Sequence, residues 1–399
     1  MWCCVGTGME NHGKYGQFIY THVGDALFVN LFVASELNWK ERGVVLRQET
    51  AFPYGEESRI TITEGKGSFS LHLRYPGWVR PGEFKVEVNG KPVSVISGPS
   101  SYVTIDRKWK RGDVVTIHFP MHASLKYLPN VPQYVALMYG PILLGMKTGT
   151  EDMAHLIADD SRFGQYASGA KLPVDQAPIL INNNIETIPS QLTPVAGKPL
   201  HFTLSTKMVN GISGELQPFF EIHDSRYMIY WLALTEDSYQ QYLDRLAQEE
   251  KERQALEART IDKVQPGEQQ PETDHKMETD GSYTGNSNNV FFRDARDGHS
   301  FSYLMQTDGR NDLSLRLKYW GVGEWKTHEF DIFVDDVLVR SVNNTGKYRI
   351  SEFKYETYEL PASVLQGKQQ VRVKFVAAKG RQIGEIYEVR LVRPENRLN

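Results

Sequence analysis

The chain has 399 residues, 40% hydrophobic and 24% charged, which is ordinary globular usage and excludes both wholesale disorder and a collagen-like architecture. At roughly one domain per 150 residues, that length predicts two or three domains with ample apolar chain for real cores. A net charge of -4, from 45 Lys and Arg against 49 Asp and Glu, provides no basic field to collect nucleic-acid phosphates.

The chain opens with MWCCVGTGMENHGKYGQFIYTHVGD, in which Met9, Phe18, Ile19 and Val23 share a helical stripe after a Gly-rich turn. The spacing predicts one helix over about 9–23, within a first segment 1–25. After Asp25 come short β-branched and aromatic runs punctuated by Gly, Pro and Asn: LFVNLFV, VVLRQETAF, RITIT, FSLHLRY, FKVEVNG, YVTI and DVVTIHF. Strands of that length and spacing predict an antiparallel β-sandwich over 26–147, with Asn89-Gly90 between Val86-Glu87-Val88 and Lys91-Pro92-Val93 as its plainest hairpin. Residues 148–235 form a second β-rich segment, with long Asp-, Asn-, Pro- and Gly-rich loops up to about 200 and a buried strand expected over 223–234. From Glu236 to about Ile261 the chain is rich in Glu, Gln, Arg, Ala and Leu and lacks Gly and Pro, which predicts a helix. That helix faces solvent and packs by its Leu residues, with partner binding as the other reading. A polar linker carrying Pro266, Gly267 and Pro271 follows, closing the segment 236–272. Residues 273–399 read as strands again and predict a second β-domain of jelly-roll type. The fold class is therefore mainly β, antiparallel sandwich and jelly-roll domains with one helical linker.

Several features exclude whole classes of protein. No apolar run reaches the roughly 18 residues of a membrane helix, the longest being 134–146 and 26–34. No charged n-region with an apolar h-region precedes the cysteines. Only two cysteines occur, Cys3 and Cys4, so a disulfide framework is excluded. Adjacent thiols can serve as nucleophile and as soft ligands for zinc where the backbone turns sharply, and Gly6 and Gly8 permit such a turn. They can equally be two small buried side chains at a helix end. A complete zinc site needs about four ligands, and the nearby candidates are Glu10, His12 and His22, each of which also reads as a helix-surface residue.

Other polar groups compete as sites. Glu221, His223, Asp224 and Arg226 cluster in one run, but alternate residues of a strand face opposite sides, so a structural ion pair is the expected outcome. Asp308, Asn311 and Asp312 could ligate calcium or simply serve their turn. Tyr319, Trp320, Trp325 and Phe330 are either a sugar-stacking face or core and hairpin residues, the latter preferred because aromatics are ordinary strand formers.

The segment WCCVGTGMENHGKYG (2–16) closely resembles the one that closes the catalytic barrel of the β-L-arabinofuranosidases of glycoside hydrolase families 127 and 146. VNLFVASELNW (29–39), LRYPGWV (73–79), VEVNGKPV (86–93), YVALMYGPILLG (134–145) and IHDSRYMIYW (222–231) look like the region that follows it. The section from about 273 looks like an uncharacterised β-domain appended to some of these enzymes. The resemblance implies a retaining exo-hydrolase of plant-derived, arabinose-containing glycans, with an (α/α)6 barrel followed by β-sandwiches. It implies Cys3 as a zinc-bound nucleophile and Cys4 as a second zinc ligand. The family's other ligands, a glutamate and a cysteine, and its glutamate acid/base lie upstream of the motif, so the first helix here would be the remnant of a barrel left off the chain. Met1 stands where the family has an ordinary internal residue. The expectation is thus a C-terminal portion with little or no activity by itself and weak or no zinc binding, from an exported or periplasmic parent. The rival is a non-catalytic β-protein that binds carbohydrate or scaffolds a partner. Neither reading has a nucleic-acid or membrane partner.

Overall fold

A computed structural model of the chain describes all residues except 1–2, 155, 157–175, 212–213, 288–289, 322–326, 349 and 396–399, and all but the side chains of 3–5. The chain divides into two compact units, 1–242 and 243–399. Both are built mainly of β-strands.

The first unit begins with helix α1, Cys3–Ile19, which runs directly into the strand Tyr20–Val23. The helix thus starts earlier than its apolar stripe predicts, and the predicted last turn is already strand. A sandwich follows. One sheet orders Tyr20–Val23, Ala26–Val29, Lys66–Tyr75 and Ser101–Lys110. The other orders Ser35–Trp39, Val44–Thr50, Glu57–Glu64, Val114–His118, Lys85–Val88 and Lys91–Val93. Period-two alternation sends Phe69, Leu71, Leu73 and Tyr75 inward with Val103, Ile105 and Trp109 from the paired strand. Trp109 satisfies its indole by donating to the Phe69 carbonyl at 3.0 Å. The pairing is antiparallel throughout except that Ala26–Val29 lies parallel to Lys66–Tyr75. At the predicted hairpin, Asn89 and Gly90 have φ of 52° and 73°, the left-handed pair a type I′ turn requires.

Residues 123–234 form a further sheet around Trp231, which is fully buried. The run expected as one strand over 223–234 is two, Arg226–Met228 and Trp231–Leu234, because its halves pair with different neighbours. The first lies on Ile142–Gly149, the second on Val131–Tyr139 and, in parallel, on Ile179–Ile181. Within 148–200, the described residues hold the short strands Ile179–Ile181 and Leu192–Pro194 joined by a 3-10 turn, Ile185–Gln191.

Helix α2, Glu236–Arg259, is capped by Thr235, whose hydroxyl oxygen accepts from the Ser238 amide at 3.1 Å. It buries no residue fully: Leu246 and Leu256 are half-buried, and Leu243 is exposed. The boundary between the two units falls within it.

The second unit is a sandwich of antiparallel sheets. One contains Tyr283–Ser287, Val290–Asp294, Ile386–Val392, Ser314–Trp320 and Phe353–Glu359, with Thr260–Val264 also on Ile386–Val392. The other orders Glu278–Asp280, Ser300–Gln306, Gln370–Ala377, Glu329–Val334 and Val337–Asn343. Phe301, Tyr303, Leu315, Leu317, Phe330, Ile332, Phe375 and Val389 fill the space between them. The stretch 260–272, read as the end of a linker, belongs to this fold. It supplies the strand Thr260–Val264 and then helix α3, Gln269–Asp274, with Pro271 tolerated in the first turn. Gly267 is needed there for two reasons. Its φ is +85°, and a Cβ would meet the Phe292 carbonyl oxygen at 2.8 Å.

Candidate functional site

Cys3 and Cys4 head helix α1, but their side chains lie outside the described residues. The other proposed ligands are described. Glu10 reaches Lys14 at 3.6 Å, and His12 sits edge-on to the Tyr15 ring at 5.6 Å. His22 lies beyond the far end of the helix, 3.8 Å from Glu41 and against the Trp39 ring. Along a helix rising about 1.5 Å per residue, Glu10 lies roughly 10 Å from Cys3. The donors of one zinc ion lie within about 4 Å of each other. Among the described residues, no three His, Cys, Asp or Glu side chains gather as a metal site. Among the described side chains, Glu10, His12 and His22 thus face separate partners and share no metal site.

The same helix carries Gly6, Gly8, Gly13 and Gly16, and a Cβ on any of them would meet nothing within 4 Å. Met9, Tyr15 and Phe18 are exposed. Glycine costs about 1 kcal/mol against alanine at each interior helical position, so this helix bears a substantial penalty for which the described residues show no packing return.

Of the second cluster, Glu221 alone enters a polar arrangement in a cleft. It accepts from the Tyr54 hydroxyl at 2.5 Å, and His201 Nε2 stands 3.8 Å from its other oxygen. The hydrogen bond to Glu221 raises the Tyr54 hydroxyl above its ordinary value. His223 and Asp224 are exposed, and Arg226 donates to the carbonyls of Glu151 and Asp152, so the four do not converge; only Arg226 lies in a strand, Glu221 ending a 3-10 turn. The open cleft, about 650 Å³, lies against Tyr54, Glu56, Tyr139 and His201. Tyr54 and His201 were not singled out by sequence reasoning, because their approach to Glu221 depends on contacts far apart in the chain.

In the second unit, Asp312 is held by Arg310 through two hydrogen bonds of 2.9 and 2.7 Å, and Asp308 takes a turn conformation with φ of +53°. That turn supplies no metal cluster among the described residues. Tyr319 and Phe330 are core, as preferred; Trp320 packs edge-on against Phe353 at 4.9 Å, and Trp325 lies outside the described residues.

Residues 26–121 match the family model described as the β-L-arabinofuranosidase GH127 middle domain. Residues 124–233 match a domain of unknown function, DUF4986, and residues 255–392 a family of unknown function, DUF6805. Among solved structures, a glycoside hydrolase is similar at 20% identity and a TM-score of 0.42, over 58% of this chain and 40% of that one. A GH127 β-L-arabinofuranosidase from Geobacillus stearothermophilus T6 is similar at 22% identity and a TM-score of 0.39, over 58% of this chain and 37% of that one. A family 36 carbohydrate-binding module in complex with calcium and xylotriose is similar at 15% identity and a TM-score of 0.24, over 33% of this chain and 99% of the module. The chain thus spans about two fifths of the first glycoside hydrolase. A search of the curated proteins finds no match. No helix among the described residues is long and apolar enough to cross a membrane.

Proposed function

We propose that this chain is the C-terminal portion of a retaining, zinc-dependent exo-glycoside hydrolase of the β-L-arabinofuranosidase kind, acting on arabinose-containing plant glycans in an exported or periplasmic setting. The observation that carries the reading is the adjacency of two features: the GH127 middle domain at 26–121 follows directly on a helix headed by Cys3 and Cys4. The exposed glycines of that helix support it, since a glycine-rich helical face suits close packing against a surface beyond the described residues. In this reading Cys3 is the nucleophile and Cys4 stands beside it as a metal ligand.

The described residues do not complete a zinc site, so no step is assigned to the metal here. In this reading the acid/base glutamate, the group a retaining glycosidase uses to protonate the leaving oxygen and later to activate water, lies upstream of the cysteine motif. The 399-residue chain alone is therefore proposed to be inactive. The test assays the purified chain with an aryl β-L-arabinofuranoside, with and without added zinc, beside its Cys3→Ser variant, and titrates zinc into both. Expected are no hydrolysis above background and no tight, stoichiometric zinc uptake. Hydrolysis abolished by Cys3→Ser would overturn the inactivity of the chain by itself. The reading frame ahead of Met1 tests the larger claim. Continuous helical coding sequence with a Glu-x-Cys pair supports it, whereas a stop codon and start signal immediately before Met1, with glycan binding by the purified protein, favour the non-catalytic carbohydrate-binding alternative.

A further inference from the structure

The outer face of one sheet in the second unit carries cations without partners. On the strand Ser314–Trp320, the inward residues are Leu315, Leu317 and Tyr319, which leaves Arg316, Lys318 and Trp320 on the opposite face. Register places Arg316 directly across from Arg390 on one side and Thr357 on the other. Like charges directly opposite on one sheet face are destabilising. The carboxylates that relieve this pair serve Arg390: Glu388 accepts from its Nε at 2.6 Å and its Nη2 at 2.8 Å, and Glu257 accepts from its Nη1 at 2.8 Å.

Arg316 receives no such relief. Its guanidinium lies over the Tyr355 ring at 4.5 Å, and its Nε is buried without a hydrogen-bond partner among the described residues. Lys318 is similar, with its Nζ 3.9 Å above the Phe353 ring and no ion pair among the described residues. Burial pushes both groups below their ordinary values, and Arg390 adds to it, although the more distant Glu388 carboxylate offsets part of the fall in each. An orphaned buried guanidinium nitrogen calls for an acceptor. The Arg316 side chain also lines a cleft of about 870 Å³, together with Tyr355 and the last turns of α2, through which a ligand can approach it. The other acids of the cleft face partners already, Glu395 being 3.1 Å from Arg259 and Glu249 3.8 Å from Arg245.

We propose that this face binds a saccharide bearing a carboxylate, with the acid group on the Arg316 guanidinium and the sugar ring against Tyr355. A planar carboxylate matches the guanidinium fork, which favours it over a point anion. The half-exposed Tyr355 ring, 45% accessible, supplies the apolar surface that the axial hydrogens of a pyranose cover. Nothing in this proposal depends on the hydrolase reading, since every residue in it lies between 243 and 399.

The experiment is calorimetric titration of the full chain with oligogalacturonate and, in parallel, with a neutral galacto-oligosaccharide of equal length. Binding of the acidic oligosaccharide is expected, weakening with salt, with about tenfold or greater loss in Arg316→Gln and a comparable loss in Tyr355→Ala. Thermal midpoints matching the parent protein show that each variant is folded; a variant that unfolds is replaced by Arg316→Lys, which keeps the charge but loses the fork and is expected to bind more weakly. Equal binding of the neutral sugar, no binding of either sugar, or unchanged affinity in Arg316→Gln overturns the proposal. Acetate is the third arm: if it competes as well as the oligosaccharide at equal concentration, the sugar ring contributes nothing and the saccharide assignment falls.

Discussion

Glu272 is an acid in a place where acids are seldom found, almost fully buried on the short helix α3. It stays ionised because everything around it donates. Arg293 supplies Nε at 2.7 Å and Nη2 at 2.6 Å, the Gly267 amide approaches at 2.8 Å, and the Tyr303 hydroxyl donates at 2.8 Å. Burial alone would raise its carboxyl, but these donors hold it below the ordinary value. Removing the acid leaves a buried guanidinium unpaired, so Glu272→Ala is expected to destabilise the second unit by about 3 kcal/mol or more. Replacing both partners with apolar residues of similar size, Glu272→Leu with Arg293→Met, should cost less than the single change, because no charge is then stranded. Urea unfolding of the three proteins decides it, and equal losses would show that the network adds nothing beyond packing. This network was invisible in the sequence. PGEQQPETD reads as linker because Pro and Gly usually punctuate, and only the tertiary fold shows that Gly267 lets the chain pass against Phe292 while Glu272 meets an arginine from another strand.

At the scale of elements, legibility followed locality. The Asn89-Gly90 hairpin was readable because two adjacent residues with left-handed backbone dictate the turn and hence the register, and the alternating runs of the sandwich were readable because period two is a local signal. The split of 223–234 was not, since it arises from two halves choosing partners elsewhere in the chain. The unpaired Arg316 was hidden for the same reason: its like-charged neighbour lies more than 70 residues away in sequence and opposite it in the sheet. Helix α1 shows the converse, a sequence whose local preference argues against the structure it adopts. With no atom within 4 Å of a Cβ at Gly6 or Gly13, alanine at both positions should strengthen the helix by about 2 kcal/mol in total. Slower amide exchange across α1 in Gly6→Ala/Gly13→Ala is the expected reading. Faster exchange would mean that those glycine faces are already packed within this chain.

The second unit carries a buried ion pair that ties its stability to pH. In the second unit His275 Nε2 lies 3.0 Å from Asp262 Oδ1, and both side chains are largely buried. The bond to Asp262 raises the imidazole above 6.5. A raised histidine stabilises the fold fully below that ordinary value, and the contribution is lost as pH climbs through the folded value. Burial pushes Asp262 up, but the donors from His275 and from the amides of Gln306 and Lys263 outweigh it and hold the carboxyl below 3.8. Its contribution is present above 3.8 and lost as pH falls through the lowered folded value. The pair therefore favours the second unit most between about pH 4 and 6.5. Residue-resolved hydrogen exchange should show protection of the core strands Ser300–Gln306 and Gln370–Ala377 falling above neutral pH, and His275→Gln should flatten that fall. A parent and variant with the same slope would remove the pair as its cause.

The parallel contact between Ala26–Val29 and Lys66–Tyr75 has a consequence for how the chain assembles. Helix α1 leads directly into Tyr20–Val23, whose only sheet neighbour among the described residues is Ala26–Val29, and that hairpin joins the sandwich through Leu27 opposite Leu71. Two strands alone are marginal in water, so the entry hairpin gains a firm seat only after the chain has been made and folded past residue 75. The segment that begins with the thiols is thus made before the strand that seats it and is fixed in place only after that strand has formed. A mutation in Lys66–Tyr75 that slows sheet formation would therefore delay the seating of helix α1 without touching it.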